Sequence, residues 1–63
     1  MLKTYTLYLR DGGDADRFVP ALCASDADAI ARARMLLADH PECHMIEVFF
    51  GENLLFSIER APQ

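Results

Sequence analysis

Tryptophan is absent from the 63 residues, and glycine, proline and cysteine number only three, three and two. So little glycine and proline excludes a collagen-like or low-complexity chain. Two cysteines are too few for a disulfide framework. Basic residues are also scarce: six Lys and Arg against ten Asp and Glu give a net charge of −4. Neutralising phosphates requires a basic surface, so no nucleic-acid partner is expected. Apolar runs are short, Met35-Leu36-Leu37-Ala38 being typical, against the roughly 18 residues a membrane span needs. The start, Met1-Leu2-Lys3-Thr4-Tyr5, has no apolar core of the signal-peptide kind, so a cytoplasmic location without a membrane partner is the expectation.

What is present is apolar material: 52% of the chain, enough for a packed globule and too much for a disordered tail. Residues 1–63 are read as one domain. A domain of this size buries only about 60% of its unfolded surface, so it gains from a disulfide, a metal or a partner subunit. Without a secretion signal, Cys23 and Cys43 are expected to be free, buried thiols.

Residues 2–10, Leu-Lys-Thr-Tyr-Thr-Leu-Tyr-Leu-Arg, combine aromatic and β-branched residues with neither Gly nor Pro, and read as a strand. Alternation sets Tyr5, Leu7 and Leu9 against Thr4, Thr6 and Tyr8. Asp11-Gly12-Gly13-Asp14-Ala15-Asp16 supplies the positive φ values of a hairpin turn. Residues 17–23, Arg-Phe-Val-Pro-Ala-Leu-Cys, read as the return strand, with Phe18, Pro20 and Leu22 on one face. Pro20 lacks an N–H, so this strand is expected to be an edge or bulged near that point. The hairpins could join through the first and third, first and fourth, or second and third strands. An edge at Pro20 argues for the first strand being central. Ser25 is an N-cap, and Asp26 and Asp28 suit the positive end of a helix. The segment Asp26–Asp39 is rich in Ala, Leu, Met and Arg, and Ala29, Ile30, Ala33, Leu36 and Leu37 fall in one stripe. Pro41 ends the helix. Residues 43–50 and 54–60 read as two further strands about the Gly51-Glu52-Asn53 turn.

The order β-β-α-β-β predicts an α+β fold: two layers, with one helix packed on one face of a four-stranded antiparallel sheet. The covered face is expected to carry Tyr5, Leu7, Leu9, Phe18, Leu22, Ile46, Val48, Phe56 and Ile58. The open face is expected to carry Thr4, Thr6, Tyr8, Val19, Met45, Glu47, Phe49, Leu55 and Ser57. A 14-residue helix is about 21 Å long and about 10 Å wide, too narrow to roof four strands. Tyr8, Met45, Phe49 and Leu55 are therefore the candidate interface residues, and the expected partner is a second copy related by a twofold axis.

Chemistry-bearing clusters are weak. His40, Cys43 and His44 are candidate metal ligands, with Glu42 between them, but residues adjacent on a strand point to opposite faces. The expectation is no metal and no cofactor. Asp11, Asp14 and Asp16 crowd a glycine-containing loop too short for an EF-hand, and Gly12-Gly13 precedes no helix that could cradle a phosphate. Ser25 is accounted for by capping, and Cys43 beside His44 in sequence is not a catalytic dyad. The chain is read as no enzyme.

The pieces Tyr5-Thr6-Leu7-Tyr8-Leu9, Asp11-Gly12-Gly13, Ser25-Asp26-Ala27-Asp28-Ala29 and the Val48-to-Phe56 hairpin resemble the small bacterial β-β-α-β-β domains of unknown function. Asp11-Gly12-Gly13, Val19-Pro20-Ala21-Leu22 and Asp28-Ala29-Ile30-Ala31-Arg32-Ala33 are similar to the opening of HicB-type antitoxins. The first resemblance implies a fold and no activity. The second implies binding to a small basic ribonuclease. The leading expectation is a non-catalytic, homodimeric protein-interaction module, with the antitoxin-like inhibitor as the alternative.

Overall fold

A computed structural model describes residues 1–11 and 17–60. Strand β1 (Lys3–Arg10) and strand β2 (Arg17–Cys23) precede helix α1 (Asp26–Asp39), and strands β3 (Met45–Phe50) and β4 (Asn53–Glu59) follow it. All four strands form one antiparallel sheet in the order β2-β1-β3-β4. The two hairpins join through their first strands, which leaves β2, with Pro20 at its midpoint, on one edge. The acidic turn residues 12–16 and the tail 61–63 lie outside the described residues, as do the readings placed on them.

The helix starts where its cap chemistry starts it. Ser25 is extended, and its hydroxyl accepts the Asp28 N–H at 3.2 Å. Its far end is closed from outside the helix. The Arg60 guanidinium, just past β4, donates to the Leu37 carbonyl, to the His40 carbonyl at 2.9 Å and to the Cys43 carbonyl at 3.1 Å. Carbonyls in a last helical turn have no partner within the helix, and a cation there also suits the dipole. No basic residue of the last turn does this work, so a tertiary contact replaces a local cap.

Ala29, Ala33 and Leu37 of α1 are buried against Tyr5, Leu7, Leu9, Ala21, Cys23, Cys43, Ile46 and Val48, with Leu36 and Ile58 at the margin. Both thiols are free and buried. The β1–β2 register corrects the expected faces of the second strand. Antiparallel partners share a face, and Tyr5 pairs with Ala21, Leu7 with Val19 and Tyr8 with Phe18. Phe18 and Leu22 therefore stand on the open face, 64% and 59% exposed, and Val19 moves to the helix side. Expected core membership followed side-chain bulk, whereas a one-residue change of phase, set by the hairpin, moves every side chain across. Small Ala21 and Cys23 are buried in one cluster with Ala29 and Ala33 of the helix. Phe56 keeps to the helix side opposite Val48, but it lies on the edge strand β4 and is 39% exposed rather than core.

Candidate functional site

The open sheet face is built by β-strand alternation acting on β1 and β3, the two central strands. Tyr8 lies between two aromatic neighbours. Its ring centroid is 5.7 Å from Phe18 on β2 and 5.1 Å from Phe49 on β3, the latter edge-on. Such tilted and edge-on pairs suit the ring quadrupoles. The row continues onto β4, where Phe49 pairs with Leu54. A β-bulge follows, because Val48 pairs with Phe56 and leaves Leu55 as the extra residue. This changes the phase of β4: Leu54, expected with Phe56 on the covered side, stands instead beside Phe49.

Two charges on this face, Arg10 and Glu47, pair with each other, while Glu59, opposite Met45, stands exposed at its β4 end. Arg10 Nε donates to Glu47 Oε1 at 2.7 Å, and the Arg10 guanidinium lies 5.5 Å from the Tyr8 ring centroid. Of the four candidate interface residues, Tyr8, Met45 and Phe49 are half-buried, and Leu55 is exposed. Tyr8 and Phe49 touch; Met45 pairs with Arg10 and Glu59 at the far end of β3. Phe18, Leu22 and Leu54 extend the face and were missed by alternation alone. The signal that would have found them is the hairpin register on β2 and the bulge on β4.

The candidate metal ligands separate. Cys43 is buried, with Arg17 Nη2 3.8 Å from its sulfur, and His44 is exposed. His40 Nδ1 lies 3.1 Å from Glu42 Oε2, which also accepts from Arg17 Nη2 at 2.8 Å. Glu42's own backbone N–H, then Arg17 and His40, hold the Glu42 carboxyl down to about 2. Among the described residues no three His, Cys, Asp or Glu side chains are placed to hold a metal ion. A hollow of about 300 Å³ on the outer side of α1 is lined by Ala27, Ile30, Ala31 and Arg34, and this lining supplies no nucleophile or carboxylate. Among the described residues no helix is long and apolar enough to cross a membrane. No family model, curated protein or solved structure matches the chain, so the functional reading stands on this geometry.

Proposed function

We propose that the chain is a non-catalytic protein-interaction module that forms a homodimer through its open sheet face. The observation that carries this is the ring row Phe18–Tyr8–Phe49, continued by Leu54 across all four strands. Burying one such side chain contributes about 1.5–3 kcal/mol, and a small domain has few other sources of stability. A second copy is supported because Glu47, beside the ring row, is paired with Arg10 and so presents no bare carboxylate there to its twofold image.

The test is sedimentation of the wild type beside Phe18→Glu. Phe18 is exposed, so the variant is expected to keep the monomer fold. Wild type is expected at twice the 7.1 kDa chain mass or a further multiple of it at micromolar concentration, and Phe18→Glu at half the wild-type mass. Wild type that stays at single-chain mass up to millimolar concentration overturns the reading. The net charge of −4 favours a second reading, an antitoxin-like inhibitor of a small basic protein. It predicts salt-sensitive, one-to-one capture of such a protein by the monomer.

A further inference from the structure

We infer that Arg17 and Glu42 form a clasp that positions the start of β2, and through it holds Phe18 in the ring row of the open face and supports association there. The consequence for association rests on the open-face reading; the positioning of Phe18 does not.

Packing leaves the first half of β2 weakly held. Strand β2 is an edge, and Arg17 makes the last pair of the β1–β2 ladder, opposite Leu9. Residues 17–20 are all exposed, and the two buried side chains of the strand, Ala21 and Cys23, both lie in its second half. Segments with few buried apolar contacts are the ones that open locally. Phe18 sits in this stretch, and its ring joins the row through Tyr8, 5.7 Å away.

The clasp supplies the tie that packing does not. Leu9 is buried on the helix side, and its partner Arg17 shares that face. Arg17 Nη2 donates to Glu42 Oε2 at 2.8 Å, a contact between residues 25 apart in sequence, and also lies 3.8 Å from the Cys43 sulfur. The far side of the clasp is anchored. Cys43, next to Glu42, is buried; its N–H donates to the His40 carbonyl at 2.9 Å, and its carbonyl accepts from Arg60 Nε at 3.1 Å. His40 Nδ1 lies 3.1 Å from the same Glu42 oxygen. A loosely packed strand end is thus tied to a well-held connection. Arg17 and Phe18 are adjacent on opposite faces, so the backbone that the clasp holds is the backbone that sets the Phe18 ring. Both partners of the pair are half-exposed, which limits its effect on an equilibrium to about fivefold.

The test reads the folded state rather than its stability, in Arg17→Gln, Glu42→Gln and the double variant. In NMR spectra of dilute protein, each single variant is expected to weaken the cross-peaks between the Tyr8 and Phe18 rings. The cross-peaks between Tyr8 and Phe49, which the clasp does not reach, are expected to stay as in wild type. The dimer dissociation constant from sedimentation is expected to rise about twofold to fivefold. The double variant is expected to be no worse than either single one, because each change alone opens the clasp. A clasp that only adds stability lowers the urea midpoint and leaves the Tyr8–Phe18 cross-peaks unchanged; that result overturns the inference. Weakened cross-peaks with an unchanged dimer constant overturn its control of association. Weakened cross-peaks in a protein whose wild type sediments as a single chain keep the positioning of Phe18 and sink the open-face reading.

Discussion

Tyr5 ties the sheet to the start of the helix. Its ring is fully buried, 5.3 Å from Phe50 between centroids, and its hydroxyl donates to Asp26 Oδ1 at 2.6 Å. That hydrogen bond, and then burial, push the phenol up to about 12 from its ordinary 10. A pKa raised on folding means stability fully present below pH 10 and lost as pH rises towards about 12. Spectrophotometric titration is expected to show a phenolate that forms only near pH 12 in wild type and is missing in Tyr5→Phe. Glu42 has the opposite sign. Its carboxyl, held down to about 2 from 4.5, adds stability above pH 4.5 that is lost as pH falls towards 2. Acid titration of Glu42→Gln against wild type is expected to give stabilities that differ near neutrality and converge below pH 2.

At the scale of elements, α1 is held at its two ends by different means. Ser25 caps the start from within the local chain, whereas Arg60 reaches from the end of β4 to close the other. Replacing Arg60 by Ala leaves carbonyls of Leu37, His40 and Cys43 without this donor. The expected cost is about 1–2 kcal/mol, read as a lower urea midpoint with an unchanged slope. Arg60→Lys is expected to recover only part of the loss, because a point charge cannot replace a planar fork that serves three carbonyls. The sheet face of the helix has a different sensitivity. Ala33 is fully buried, so Ala33→Leu forces extra methylenes against the strands, with an expected loss of about 1–3 kcal/mol in chemical unfolding.

At the scale of the whole molecule, the dimension that matters is width. Four strands about 4.8 Å apart make a sheet about 19 Å across, against a helix about 10 Å wide. The centre, β1 and β3, is roofed; Phe56 on one edge and Val19 on the other stay partly exposed on the helix side. The reverse side keeps its ring row uncovered. If association buries these surfaces, the unfolding midpoint depends on protein amount. The Tm of wild type is expected to rise with concentration over two decades, and that of Phe18→Glu to rise less.

Element types and their order follow from local signals that need no tertiary context: the Ser25 cap, the Asp26–Asp39 helix, the alternation of β1 and β3, and Pro20 at an edge. Three matters were decided only when the chain closed on itself. The phase of β2, which put Phe18 and Leu22 outside, came from hairpin register, because a period of two has two phases and side-chain bulk alone chooses the wrong one. The phase of β4 came from a bulge, one extra residue that no pattern of apolar residues announces. The Arg60 cap spans 23 residues to Leu37, so its donor and acceptors meet only after β4 pairs with β3. Local propensity acts within a few residues, whereas register and long-range hydrogen bonds depend on which backbones become neighbours.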